Sequence, residues 1–343
     1  MDRVFVSRRS VLTTGAGLAA ALAMPAIISS RVLAQGTQTV NMQLGWLGGG
    51  NQIGEVCAQA LGYFEAEGLA LAIQPGGPNI DGVAMVAAGQ AEIGQVSSSP
   101  SLMLAASQGI PVKAFAVCAQ THPYSFFSLP AEPIGKPADM VGKKIGIQGT
   151  GRPLISALLK VNNIPLDQVE IVVIGSDMTP LLTGQVDAIA GWTTNTTALG
   201  VLGPDVTTLR LWDNGVQLYA NPYYATQQTL DTKSEQLAGF LRAAGKGWAY
   251  ARENPEKAVD MLVAAFPNLV KADEMAAFNV MIGHVFTEAT AANGWGTFDP
   301  ANWEKQIELY NSLGEFSAGA PNVDQVETTA ILEMTASDRP KVG

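Results

Sequence analysis

The chain has 343 residues, 47% hydrophobic and 15% charged, a length that suits about two domains of ordinary size and a composition too apolar for general disorder. With 30 acidic against 20 basic side chains and a formal charge of −10, it offers no broad basic face for a phosphate backbone, so nucleic acid is not an expected partner. Two cysteines and two histidines exclude a disulfide scaffold and a four-thiolate metal site and starve most metal and acid–base chemistry of its usual residues; binding is favoured over catalysis, with no metal and no cofactor expected.

Residues 1–34 set Arg3, Arg8, Arg9 and Arg31 against Asp2 around a mildly apolar run from Val11 to Ile28, the layout of a bacterial export signal. Ser7-Arg8-Arg9-Ser10-Val11-Leu12 resembles the twin-arginine signature, and the small residues of Val32-Leu33-Ala34 place cleavage before Gln35. The run contains Thr, Gly and Pro and barely reaches the ~18 apolar residues of a membrane span. A retained anchor is therefore the weaker reading, and a periplasmic mature protein is expected. A disulfide is permitted in that compartment, but two buried free thiols at Cys57 and Cys118 are the simpler expectation.

From Thr39 the chain alternates β-rich runs with helical patterns, the rhythm of a parallel α/β sheet. The patterns predict strand 40–46, helix 52–67, strand 69–74, helix 80–88, strand 91–96, helix 100–108 and strand 112–119. An extended stretch 126–129 and three prolines, Pro130, Pro133 and Pro137, suggest a crossing into a second lobe. That lobe is expected to hold strand 143–148, helix 153–162, strand 169–174, a short helix 178–182, strand 188–192 and helix 196–202. Residues 216–226, with Pro222 and three tyrosines, read as the return crossing. The remainder predicts helices 234–254, 255–265, 271–290 and 300–316. The expected divisions are an export signal at 1–34, a first lobe of 38–125 and 225–343 including C-terminal helices, and a second lobe of 126–224 including both crossings. Such an arrangement encloses a cleft walled by strand ends and helix N-termini, a natural small-molecule site.

Four segments carry a resemblance to a known family: Gly62-Tyr63-Phe64-Glu65-Ala66-Glu67-Gly68-Leu69, Ala88-Gly89-Gln90-Ala91-Glu92-Ile93-Gly94, Gly142-Lys143-Lys144-Ile145-Gly146-Ile147, and Leu182-Thr183-Gly184-Gln185-Val186-Asp187-Ala188. In this order and spacing they resemble the SsuA/THI5-like (NMT1-like) periplasmic substrate-binding proteins of ABC importers, which handle nitrate, taurine, sulfonates and thiamine pyrimidine precursors. The resemblance implies an α/β type II periplasmic-binding-protein fold and capture of a small ligand between lobes. It also implies delivery to an ABC permease with a cytoplasmic ATPase. The family includes an enzyme, a hydroxymethylpyrimidine phosphate synthase with a cysteine-rich iron motif, but this chain has no cluster of cysteines.

Candidate ligand residues follow from the turns after strands. Trp46 ends the first strand, and Leu47-Gly48-Gly49-Gly50-Asn51 lets backbone approach a ligand closely, with Trp46 as a stacking face or as core and Asn51 as a polar contact. Ser98 and Ser99 precede Pro100 as ligand donors or helix caps. Gly149-Thr150-Gly151-Arg152 supplies a hydroxyl at Thr150 and a guanidinium at Arg152, suited to a carboxylate or sulfonate or to a salt bridge. Gly191-Trp192-Thr193-Thr194-Asn195-Thr196 is the strongest segment, with Trp192 as a platform and Asn195 as a polar contact or cap. Tyr223 lies on the return crossing with Tyr219 and Tyr224. His122 and His284 are expected to be structural, and Met275 and Met281 core. The P-loop, zincin, nucleophile-elbow and EF-hand patterns are absent from the sequence.

Aromatic residues near both walls predict a small planar heterocycle, such as a thiamine-precursor pyrimidine, captured by a monomer. A binding protein for a small anion (taurine, an alkyl sulfonate or nitrate) is the alternative, and a secreted enzyme or sensory partner is the reading from another class.

Overall fold

The computed structural model describes residues 36–343 apart from Pro78 and Ser176; the expected export signal and its cleavage point lie outside the described residues. The chain opens with β1 (Gln38–Leu44), α1 (Ile53–Ala60), α2 (Tyr63–Ala66), β2 (Leu69–Gln74), α3 (Gly82–Ala87), β3 (Ile93–Gln95), α4 (Pro100–Ser107) and β4 (Val112–Ala119). It continues with β5 (Tyr124–Ser128), β6 (Lys144–Ile147), α5 (Arg152–Val161), β7 (Glu170–Val173), α6 (Thr179–Leu182), β8 (Ala188–Trp192), α7 (Thr196–Gly200) and β9 (Thr207–Arg210). It returns through β10 (Ala220–Thr226) into a helical tail: α8 (Gln227–Thr232), α9 (Ser234–Glu253), α10 (Pro255–Ala265), α11 (Lys271–Val285), α12 (Glu288–Asn293), α13 (Pro300–Ser312), α14 (Val323–Val326) and α15 (Ala330–Met334).

Among the described residues these strands form two five-stranded sheets, ordered β2-β1-β3-β10-β4 and β7-β6-β8-β5-β9. Each combines parallel β-α-β units with antiparallel closing strands. This is the expected type II periplasmic-binding-protein architecture. Sheet membership changes between Ala119 and Tyr124 and again between Arg210 and Ala220, so the divisions expected at 126 and 224 fall inside β5 and β10.

The register decides where a ligand can sit. β10 runs antiparallel to β3, and its first residue, Ala220, pairs with Ala119 at the end of β4. Both crossings therefore leave the first sheet on the edge where β1 and β3 end. In the second sheet Tyr124 opens β5 opposite Trp192 at the end of β8, and Ser125 pairs with Arg210 at the end of β9. The carboxyl ends of the parallel strands of both sheets thus meet at the crossings, where open α/β sheets bind ligands.

Three local differences from the sequence patterns have physical causes. The helix expected over 52–67 breaks at Gly62, whose φ of +74° suits a residue without Cβ. The helix expected over 271–290 ends at Val285; Phe286 and Thr287 are extended, and α12 restarts the coil. The supposed return crossing is chiefly β10, buried along its whole length between β3 and β4. Pro222 argues against a central strand, yet it sits beside a register shift between Tyr223 and Tyr224, and its carbonyl still accepts the Val96 N–H at 3.3 Å.

Candidate functional site

The turns that follow β1, β2 and β3 enclose a cavity of about 500 Å³ lined by Gly45, Asn79, Ile80, Asp81, Val96 and Ser101, among others. Gly45 and Val96 directly follow β1 and β3, and the polar side chains of the lining are an amide, a carboxylate and a hydroxyl; no lysine or arginine lines it. Asp81 caps α3 by accepting the Ala84 N–H at 2.9 Å. Trp46, Leu47 and Ile80 remain exposed, at 54%, 60% and 43%. Large apolar side chains left this open next to a cavity are more informative than buried ones. A second cavity of about 410 Å³ is bounded by both crossings and the helical tail, with Gln120, Thr121, Trp212, Tyr219 and Phe298 in its lining; of these, Gln120 directly follows the end of β4.

Of the residues singled out from sequence, Trp46 directly follows Gly45 of the first-lobe cavity, and its carbonyl accepts the Gly76 N–H at 3.0 Å. Asn51 is half-buried in the one-turn helix Gly50–Gln52. Ser98 has a buried hydroxyl without a hydrogen-bond partner. The Thr150 side chain is outside the described residues; its backbone belongs to the one-turn helix Gly149–Gly151. Arg152 opens α5 and is exposed. Trp192 is half-buried, its ring 4.9 Å from that of His122. Asn195 is exposed, and it caps α7 without a side-chain hydrogen bond.

Two of the candidates are turned away from the cleft. Ser99 is fully buried at the N-terminus of α4, donating to Gln306 Oε1 at 2.5 Å and accepting the Tyr219 N–H at 3.2 Å, so its hydroxyl fastens the start of α4 to α13 and to the return crossing. Tyr223 is fully buried in the core of the first lobe and donates its hydroxyl to Glu55. Their roles are structural for one reason: the position along a strand was visible in the sequence, whereas the face presented to each neighbour was not.

Four further residues at this edge were not marked as ligand groups by any sequence pattern. Gln52 donates to Gln95 Oε1 at 2.6 Å and accepts the Gly49 N–H at 3.0 Å, holding the glycine loop against the end of β3. The amide nitrogen of Gln95 and the hydroxyl of Tyr124 are buried without partners, a costly condition that a polar ligand or water relieves. His122 accepts the Tyr124 N–H at Nδ1, 3.2 Å, so its proton sits on Nε2. Burial, aided by the nearby His284, pushes its pKa down to about 3, leaving a neutral ring under Trp192.

The first of the carboxylates is chemically distinct. Glu55 on α1 is fully buried, and burial raises its pKa to about 7 against the lowering effect of the Tyr223 hydroxyl. Cys57 and Cys118 are buried free thiols, and burial pushes the Cys57 pKa up to about 12, far from a reactive thiolate. Among the described residues there is no group of three or more His, Cys, Asp or Glu side chains arranged for a metal ion, and no helix is long and apolar enough to cross a membrane.

A family model described as NMT1/THI5 like matches residues 50–258. Among curated proteins, the formylaminopyrimidine-binding protein of Halalkalibacterium halodurans is 26% identical over 283 residues, covering 79% of this chain and 84% of that protein. The 4-amino-5-hydroxymethyl-2-methylpyrimidine phosphate synthase of Legionella pneumophila is 27% identical over 237 residues, covering 67% of this chain and 74% of that protein. Among solved structures, the periplasmic aliphatic sulphonate binding protein SsuA of Escherichia coli superposes with a TM-score of 0.65 at 16% identity, over 84% of this chain and 96% of that one. That last likeness is one of fold.

Proposed function

Because the chain belongs to the NMT1/THI5-like family, we propose that it is the extracytoplasmic solute-binding component of an ABC importer, capturing a small planar heterocycle of the thiamine-precursor pyrimidine class by closure of its two lobes. The observation that carries the choice of ligand is the composition of the cleft cavity: Asn79, Asp81 and Ser101 offer acceptors and donors, and no cation lines it. A ring bearing amino groups and ring nitrogens pairs with such groups, whereas a sulfonate or nitrate would leave the Asp81 charge opposed. Trp46 and Trp192 supply faces for stacking, and Asn51, Ser98 and Asn195 supply polar contacts from turns at the same edge. Arg152 and the helix N-termini are the features that favour an anion, and Arg152 lies outside the lining of this cavity.

In this reading the bound ring favours the closed arrangement to the extent that it binds that arrangement better than the open one. The closed form, as a monomer, is recognised by a permease coupled to a cytoplasmic ATPase. The similarity to a pyrimidine phosphate synthase makes turnover worth measuring alongside binding, and no product is expected from the ring compounds.

The test is a thermal-shift screen of residues 35–343 against pyrimidines, flavins, taurine, alkyl sulfonates and nitrate. Saturation at ~100 times the dissociation constant stabilises by roughly 2.7 kcal/mol, a readable shift in Tm. Ring compounds alone are expected to raise Tm, and Trp192→Ala is expected to cost more affinity than Arg152→Ala. A rise with anions alone, or the opposite ranking of the two variants, rejects the heterocycle.

A further inference from the structure

We infer that His284 is a positioning residue that latches the helical tail of the first lobe to the second lobe, and so sets the balance between lobe arrangements without touching the ligand. The inference rests on the reading that a ligand acts by moving the lobes. His284 stands at the last turn of α11, and its side chain is 5% exposed. Its carbonyl accepts the Gln120 N–H at 2.8 Å and the Thr121 N–H at 3.3 Å, so the end of the helix is capped by the first crossing. The ring then makes two contacts in opposite directions. Nδ1 lies 2.7 Å from Thr121 Oγ1 on that crossing, and Nε2 lies 3.0 Å from Thr193 Oγ1 on the second lobe.

A neutral imidazole has one N–H and one lone pair, so one threonine receives a proton from the ring and the other donates to it. The ring is held neutral by burial and by the Arg210 guanidinium, which together push its pKa down to about 4. Hydroxyls, able to play either part, are the side chains that match both nitrogens at once. Thr193 directly follows Trp192 and is itself tied to the crossing by its N–H on the Pro123 carbonyl, 3.0 Å. The same helix packs on α7, and at its other end on the one-turn helix Gly50–Gln52 beside the cleft. α11 is therefore a strut about 22 Å long, with one end at the glycine loop of the first lobe and the other hydrogen-bonded to the turn that carries Trp192. A rotation of the second lobe that carries this turn away from α11 must break the Thr193 bond.

The experiment measures the distance between lobes in the ligand-free full mature chain by pulsed electron spin resonance, with spin labels on cysteines replacing Glu256 on α10 and Lys160 on α5, both exposed. Thr193→Val keeps shape and removes the hydroxyl, and it is expected to broaden the distance distribution and lengthen its mean. His284→Asn, whose amide reaches only as far as Nδ1, is expected to do the same. His284→Gln, whose amide reaches the position of Nε2, is expected to restore the narrow distribution. An unaltered distribution in Thr193→Val overturns the latch whatever the His284 variants do, since that hydroxyl is the part supplied by the second lobe. Because no ligand is added, failure of the latch and failure of the heterocycle reading are separately visible.

Discussion

Glu55 is a fully buried acid with the Tyr223 hydroxyl as its hydrogen-bond partner, and full burial of an acidic side chain is rare without a cationic partner. Its pKa is about 7 in the folded chain against an ordinary 4.5, so the folded state keeps a proton that the unfolded chain releases. The stabilisation from the neutral acid is complete below the ordinary value and is lost as pH climbs through about 7. Glu327, also raised to about 7 by burial, works in the same direction. His122 and His284, lowered to about 3 and about 4, work in the opposite one, losing stability as pH falls below 6.5. The difference between wild type and Glu55→Gln isolates the first effect: urea unfolding is expected to give nearly equal stabilities at pH 4 and a clear advantage to the variant at pH 8. A constant difference across that range rejects a neutral Glu55. None of this was readable in the sequence, where Glu55 is one acid in a helical pattern. The partners of His284 lie 163 and 91 positions away along the chain, a separation that no local pattern encodes.

At the scale of elements, the legible parts were those whose local chemistry agrees with their surroundings. β2 and β4 match the bounds expected from their β-rich runs, because Gly68 and the Gly109-Ile110-Pro111 turn punctuate them. β9 went unseen because Thr207–Arg210 is short and mostly polar, and β10 because a proline stands in it. Helix contacts were equally hidden. α1 crosses α9 so closely that a methyl group on Gly54 would overlap the Trp248 ring, and one on Gly247 would overlap the Gly54 carbonyl. Gly247→Ala should therefore gain helix propensity, worth up to ~1 kcal/mol, yet lose more through overpacking, about 1–3 kcal/mol or beyond. A net fall in Tm by calorimetry is the expected outcome, and an unchanged or raised Tm would show that the two helices part without cost.

At the scale of the molecule, two lobes share one edge-to-edge cleft, and the helical tail binds them from outside. The tail also closes the first lobe: Glu327 bridges to Ala114 on β4, and the buried guanidinium of Arg339 donates to the carbonyls of Gly294 and Trp295 at 3.0 and 2.8 Å. The sequence predicted the alternation and the cleft but not this clasp, since its last 20 residues carry no strong periodicity.

The placement of β10 has a consequence for how the chain assembles. Every strand of the second sheet lies between Tyr124 and Arg210, whereas the first sheet stays split between β3 and β4 until Ala220–Thr226 is inserted. Contacts of long sequence separation are slow to form, so the second lobe is expected to form before the first closes around β10. Pulsed hydrogen exchange during refolding is expected to protect β6 and β8 before β3, and the reverse order would mean that the two halves of the first sheet find each other without their central strand. A chain that emerges from synthesis in this order carries its later half as the missing piece of its earlier one.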